Sequence, residues 1–108
     1  MKVQERTKED VGVIEVSKED TKIDKPKMYN VLLLNDDFTP AHFVVEVLAQ
    51  IFGMNLDRAT QIMMSVHITG KGIVATYTKE VAETKVHNAE SMAAQHQHPL
   101  KFAVEPAE

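Results

Sequence analysis

Ten consecutive residues indicate how this chain folds: Val31-Leu32-Leu33-Leu34-Asn35-Asp36-Asp37-Phe38-Thr39-Pro40. The four apolar residues are typical of a buried strand, and Asn, Asp and Pro favour a turn after it. Thr39 is a suitable N-cap for a following helix, with Pro40 at the first helical position, where its missing N–H is not needed. Asp36 and Asp37 beside an amide supply more acceptors than a turn requires. They gather negative charge at the rim of an apolar layer, which suits a ligand with a positive group next to an apolar one.

Two amphipathic helices are predicted after this stretch. Gly53 ends the first helix, and Asn55 caps a second helix that closes near Gly70. Spacings of three and four residues place apolar side chains on one face of each helix. The first face contains Phe43, Val44, Val47, Leu48, Ile51 and Phe52, and the second contains Leu56, Ala59, Ile62, Met63 and Val66.

The remaining segments complete a β-α-α-β-α-β order. The strands are Met28 to Leu34, Ile73 to Tyr77 after a Gly70-Lys71-Gly72 turn, and a last one in which Leu100, Phe102 and Val104 alternate with Lys101, Ala103 and Glu105. Thr78 can cap a third helix from Lys79 to about His96. Its predicted buried side contains Val81, Ala82, Val86, Ala89, Met92 and Ala93. Three strands with helices packed on one side predict a small α+β domain.

The composition restricts the classes of function. A chain of 108 residues with 44% hydrophobic and 26% charged residues is ordinary for one globular domain. It contains neither an apolar run of the roughly 18 residues that a membrane span requires nor a secretory signal pattern. It also lacks cysteine, so we expect a cytoplasmic protein without disulfides. A net charge of -4 argues against a nucleic-acid partner.

The start of the chain differs from the rest. About half of residues 1–25 are charged and none is aromatic. Such a segment buries too little apolar surface to offset its ordering entropy. We therefore expect a flexible N-terminal extension over residues 1–25 and a folded domain over residues 26–108. Within the extension, a short strand around Val11 to Val16 is an alternative.

His67 could extend the acidic turn into a binding site. Met63, Val66 and His67 share a face of the second helix. If that face lies beside the turn, Asn35, Asp37 and a neutral His67 present three converging acceptors. A polypeptide's α-ammonium group offers three donors and a positive charge, so such a site would recognise chain termini. The neighbouring apolar hole would take the first side chain, with walls from Leu34, Val44, Met63 and Val66.

Plainer readings of the same residues are open. In these readings Asn35 and Asp36 serve only the turn amides, Asp37 lies near the positive end of the following helix, and His67 interacts only with the helix dipole. Asp36 and Asp37 have no accompanying nucleophile or glycine-rich loop, so we expect no enzyme. His87, His96 and His98 match no metal-binding pattern, so we expect no metal site. Glu80 and Lys85 offer opposite charges for docking a partner, although they also fit an ordinary helix start.

From about Pro26 to Glu105 the sequence resembles ClpS, the adaptor of the ClpA-type AAA+ protease in the bacterial N-end rule pathway. The resemblance depends on five motifs in order. They are Asn35-Asp36-Asp37-Phe38-Thr39-Pro40, Arg58-Ala59-Thr60-Gln61-Ile62-Met63, Val66-His67, Val81-Ala82-Glu83-Thr84-Lys85-Val86 and His98-Pro99-Leu100.

The resemblance implies a fold of three antiparallel strands and three helices. It also implies binding of substrates through a free N-terminal amine and a bulky first residue, typically Leu, Phe, Tyr or Trp, by a monomer without a cofactor. The implied amine ligands are Asn35, Asp36, Asp37 and His67. The implied side-chain pocket contains Leu33, Leu34, Thr39, Ala41, Val44, Met63, Val66 and Leu100. Glu80 and Lys85 are implied to dock the N-terminal domain of the unfoldase, and the extension to take part in substrate handover.

Ala41 departs from the family pattern, which commonly has methionine there as a residue that closes the pocket against β-branched side chains. Alanine predicts a roomier pocket that tolerates Ile, Val or Trp, or one filled by a rearranged neighbour. The rival interpretation is a binding module whose fold resembles the C-terminal domain of the ribosomal stalk protein and whose acidic rim serves another protein.

Overall fold

Three helices pack against one face of a three-stranded antiparallel sheet in the computed structural model. The structure describes residues 25–108. The predicted extension, apart from Lys25, and the strand suggested around Val11 to Val16 lie outside the described residues. The elements are β1 (Met28–Leu34), α1 (Ala41–Phe52), α2 (Leu56–Thr69), β2 (Lys71–Thr78), α3 (Lys79–Gln95) and β3 (Phe102–Pro106).

The sheet has β1 at its centre, in the order β2-β1-β3, with both pairings antiparallel. The most continuously apolar strand therefore has a neighbour on each side, as expected for a buried strand. Leu33 pairs with Gly72 of β2 and with Phe102 of β3. The β2 register shifts between Val31 and Leu32, which leaves Val74 without a partner on β1. The predicted fold class is confirmed.

The core lies between the helices and one face of the sheet. Val31 and Leu33 belong to the main buried cluster, whereas Leu32 between them does not, because successive strand residues point to opposite faces. Helix α1 contributes Phe43, Val44, Val47 and Leu48 to that cluster. Helix α2 approaches β2 closely, since a Cβ added at Gly72 would lie 3.0 Å from Cγ2 of Val66.

The first helix starts one residue later than predicted. Pro40, rather than Thr39, is the N-cap of α1: its backbone is extended, and its carbonyl accepts from the amides of Phe43 (3.0 Å) and Val44 (3.2 Å). The hydroxyl of Thr39 instead donates to the carboxylate of Asp36. The prediction of a Thr39 cap was wrong because this carboxylate competes for the hydroxyl.

Two predicted core residues are exposed. Leu56 is 66% exposed because it is the first residue of α2 and precedes the first core residue of that helix, Ala59. Val81 is 43% exposed because its neighbour Ala82 occupies the buried phase of α3. The predicted turn at residues 70–72 is also shorter than expected, since β2 already begins at Lys71 directly after the left-handed Gly70.

Helix α2 has the predicted ends, since the side chain of Asn55 accepts from the amide of Arg58 at 2.8 Å and Gly70 adopts a φ of 99°. Within residues 25–108, no helix is both long and apolar enough to cross a membrane. Over the same residues, no three potential metal ligands lie together.

Candidate functional site

A cavity of about 50 Å³ lies where the end of β1 meets the end of α2. The first turn of α1 and the loop before β3 complete it. Its walls combine apolar side chains with a polar rim. The lining residues are Leu33, Leu34, Asn35, Asp36, Thr39, Ala41, Val44, Met63, Val66, His67 and Leu100.

Backbone hydrogen bonds hold these segments together. The amide of Asn35 donates to the carbonyl of Gly70 at 2.9 Å, which ties the end of β1 to the end of α2. The amide of Leu34 donates to the carbonyl of Lys101 at 3.3 Å, which ties the same strand end to the loop before β3. The end of β1 at the cavity is therefore hydrogen-bonded on one side to the end of α2 and on the other side to the loop before β3.

Asp36 organises the polar rim. One of its carboxylate oxygens accepts from the amide of Phe38 at 2.9 Å, and the other accepts from the hydroxyl of Thr39. Thr39 is only 8% exposed, so this contact is shielded from water. The side chain of Asp36 is thus held in place at the mouth of the cavity while keeping its negative charge available to a ligand.

Asp37 stands apart from the other predicted amine ligands. Its carboxylate accepts from Nδ2 of Asn35 at 3.3 Å, and it does not line the cavity. This contact uses one N–H of the Asn35 amide and leaves its Oδ1 as an acceptor. Of the four predicted amine ligands, Asn35, Asp36 and His67 line the cavity. Asp37 lies outside the lining and contacts Asn35.

Helix α2 supplies both polar and apolar groups to the cavity through its last two turns. His67 is exposed at the rim, and Val66 is 3% exposed beneath it. Met63, half-buried, lies one turn earlier on the same face. The predicted shared face of Met63, Val66 and His67 thus borders the cavity, as the sequence interpretation requires.

The remaining walls come from α1, the end of β1 and the loop before β3. Ala41 is the first residue of α1 and contributes a single side-chain carbon, while Val44 lies one turn further along the helix. Leu33 and Leu100 are both almost fully buried. Every predicted pocket residue lines the cavity, whereas ligand binding by these residues stays a prediction.

The predicted docking residues lie on a second surface, a groove between the end of α1 and the start of α3. Glu80 and Lys85 both line this groove, and so does Ile51. The Nζ of Lys85 donates to the carbonyl of Ile51 at 3.1 Å and lies 5.8 Å from the ring centre of Tyr77. Burial raises the pKa of the Tyr77 phenol above its ordinary value of 10.0. The ammonium group of Lys85 thus already makes a hydrogen bond within the molecule, whereas Glu80 is exposed.

Comparison with known proteins identifies the family. Residues 24–103 match the family model described as ATP-dependent Clp protease adaptor protein ClpS. An ATP-dependent Clp protease adapter protein ClpS from Methylococcus capsulatus is 51% identical over 86 residues, which is 80% of this chain and 81% of that protein. One from Nitrosospira multiformis is 47% identical over 94 residues, covering 87% of this chain and 92% of that protein.

A solved structure is similar at the level of the fold. Agrobacterium tumefaciens ClpS2 bound to L-phenylalaninamide superposes with a TM-score of 0.74 at 40% sequence identity. The match covers 76% of this chain and 99% of that one. The chain belongs to the ClpS family of ATP-dependent Clp protease adaptor proteins.

Proposed function

We propose that this protein binds the free N-terminal amine and the bulky first residue of substrate polypeptides and delivers them to a ClpA-type unfoldase. Delivery would change which substrates the protease degrades. The observation that supports this proposal is the cavity itself, which combines acceptor side chains at its rim with apolar walls. An adaptor of this kind needs no catalytic group and no cofactor. We also propose that it works as a monomer in the cytoplasm.

The rim suits an α-ammonium group. Asn35 Oδ1, the carboxylate of Asp36 and a neutral imidazole of His67 offer one acceptor for each of its three N–H donors. The charge of Asp36, reinforced by Asp37 behind it, favours the protonated amine. Charge-assisted hydrogen bonds each contribute about 1.5–3 kcal/mol. A residue inside a polypeptide has no such charge, so the rim distinguishes chain starts from chain interiors.

The apolar walls suit the first side chain. A water-sized group needs roughly 10–15 Å³ of accessible space, so a cavity of about 50 Å³ has room for several non-hydrogen atoms of a first side chain. The Agrobacterium relative is bound to L-phenylalaninamide, a molecule with a free amine beside a bulky apolar side chain.

The groove between α1 and α3 is the surface we propose for the N-terminal domain of the unfoldase. Glu80 supplies an exposed negative charge there, and Lys85 a positive one. The N-terminal extension would take part in the handover. The rival function, a module that uses its acidic rim for another protein partner, does not depend on a free amine.

Acetylation of a peptide tests the proposal. Calorimetric titration with a peptide that begins with leucine should give micromolar binding, and acetylation of its amine should weaken binding at least about a hundredfold by removing the charge and two donors. His67→Phe should weaken the unmodified peptide, while His87→Phe, an exposed position on α3, should not. Equal binding of the acetylated and free peptides would exclude the proposed function and favour the rival one.

A further inference from the structure

Helix α2 carries two neighbouring apolar side chains on its water-facing side. Met64 is 54% exposed and Ile68 is 78% exposed. They are four residues apart in the helix, so their side chains lie next to each other on one face. A single exposed apolar side chain needs no explanation, but adjacent ones beside a ligand cavity are a candidate contact surface. We refer to Met64 and Ile68 as the α2 strip.

The α2 strip borders the rim of the cavity. Met64 lies three residues before His67, which lines the cavity, and helix residues at this spacing have Cβ atoms about 5–6 Å apart. Ile68 follows His67 directly. Two residues further, the carbonyl of Gly70 accepts from the amide of Asn35, another lining residue, at 2.9 Å. Neither member of the strip lines the cavity itself, so the strip is the surface next to the rim on the α2 side.

A polypeptide whose first residue occupies the cavity must continue over the rim. In an extended chain successive side chains point to opposite sides, so the first and third side chains share a side and lie about 6.5 Å apart. This spacing is close to the distance of about 5–6 Å between neighbouring side chains on a helix. A third side chain can therefore reach the α2 strip, whereas the second points away from the protein.

Two observations favour the α2 side over the turn before α1 as the path of the chain. The turn carries the negative charges of Asp36 and Asp37 and a single exposed apolar side chain, Phe38. The α2 strip instead offers two adjacent apolar side chains. One of them is a methionine, whose flexible thioether adapts to partners of different shape, which suits a position that varies among substrates.

We infer that the α2 strip is a subsite for the third residue of the bound polypeptide and that it favours an apolar side chain there. This inference rests on the proposed function of the cavity. An apolar third side chain that packs against Met64 and Ile68 removes apolar surface of both partners from water, which strengthens binding. The second residue makes no such contact and is not selected.

Three tetrapeptide amides that begin with leucine test the inference. One has asparagine at the other three positions, one has leucine instead at position three, and one has leucine instead at position two. In calorimetric titrations, leucine at position three should tighten binding about fivefold, as partial burial of one apolar side chain predicts, and leucine at position two less than about twofold. Equal effects at the two positions, or no effect at position three, would overturn the inference.

Variants of exposed residues assign the effect to the α2 strip. The double variant Met64→Gln, Ile68→Thr replaces both side chains by polar ones of similar size. It should abolish the preference for leucine at position three and leave the affinity for the all-asparagine peptide unchanged. Leu56→Gln is the matched control, because Leu56 is an exposed apolar residue of the same helix, about 12 Å from Met64 along the axis. It should keep the preference.

The remaining outcomes separate this inference from the proposed function. If Phe38→Ser abolishes the preference and the double variant does not, the chain leaves over the turn and the inference is wrong. If the double variant changes only the oligomeric state or the binding of an unfoldase domain, the strip has another occupant and the inference is also wrong. The proposed function survives both outcomes and fails only if free and acetylated peptides bind equally.

Discussion

Ala41 lies at the cavity position where the resemblance to the family implies a methionine. It stands at the first position of α1, exposed, and lines the cavity with one methyl group. A methionine there would extend a long flexible side chain over the opening. With alanine, we expect a more open cavity entrance that admits a side chain branched at Cβ.

We predict that peptides beginning with isoleucine or valine bind this protein within about tenfold of the leucine peptide. The Ala41→Met variant should weaken the isoleucine and valine peptides about tenfold more than the leucine peptide. Fluorescence anisotropy with the three peptides measures both effects. Ala94→Met, at an exposed position of α3, is the matched control and should change none of them. Isoleucine and valine binding about a hundredfold worse than leucine in the wild type would contradict the prediction.

At the scale of residues, sequence reasoning could identify which side chains gather but not the role of each. The helical spacing of Met63, Val66 and His67 could be read directly. Asp36 and Asp37 could not be separated, because adjacent residues in a turn have no fixed periodicity. The structure gives Asp36 the contacts with Thr39 and Phe38 and places Asp37 behind Asn35. Contacts between residues far apart in the sequence, such as that of Phe43 with His98, have no local sequence signal.

The loop after α3 contains a residue, Gln97, whose type does not favour the backbone conformation that it adopts. Gln97 adopts a φ of 62°, and it is the only residue other than glycine with a positive φ between residues 25 and 108. Glycine usually occupies this position, since a Cβ destabilises the left-handed conformation. The strain is compatible with the fold because two hydrogen bonds hold this loop: the amide of Gln97 donates to the carbonyl of Ala94, and the amide of His98 donates to that of Ala93.

We predict that Gln97→Gly raises the free energy of unfolding by about 1 kcal/mol, because it relieves the left-handed strain. Gln95→Gly, two residues earlier and within α3, should lower it by about 0.5–1 kcal/mol, since glycine destabilises a helical position. Urea denaturation followed by circular dichroism measures both changes. The same sign for the two variants would show that the backbone at Gln97 is not strained.

At the scale of elements, periodicity and caps were sufficient to predict the order and the approximate bounds of the helices and strands. The exceptions have local causes. Thr39 is a residue type that favours the N-cap position. Its hydroxyl, however, donates to the carboxylate of Asp36, and Pro40 is the N-cap. Leu56 and Val81 belong to the apolar faces that the spacing predicts. Which edge of such a face is buried depends on the elements that pack against it, and the spacing does not contain this information.

The molecule presents its two proposed binding surfaces at opposite ends of α1. Ala41 and Val44 face the cavity, and Gln50 and Ile51 face the groove that contains Glu80. Ala41 and Ile51 are ten positions apart in the helix, which corresponds to about 15 Å. Because the two proposed surfaces are separated in this way, we expect a peptide and an unfoldase domain to be bound at the same time.

We predict that Glu80→Lys weakens binding to the N-terminal domain of a ClpA-type unfoldase at least about tenfold through charge reversal, while affinity for a leucine-first peptide changes by less than about twofold. Glu83→Lys, an exposed residue of the same helix outside the groove, is the matched control for net charge. Surface plasmon resonance with immobilised domain, with and without peptide, measures both. If Glu80→Lys and Glu83→Lys weaken binding to the domain equally, the effect comes from net charge and the prediction is wrong.

The thioether of Met63 in the cavity wall gives the molecule a chemical vulnerability. The chain has no cysteine, so thiol oxidation cannot affect it. Peroxide, however, converts an accessible methionine into a polar sulfoxide, which methionine sulfoxide reductases reverse. An S=O group in that wall would lose its hydration when an apolar side chain packs against it, which costs free energy. Under the proposed function, peroxide would therefore weaken peptide binding until the sulfoxide is reduced.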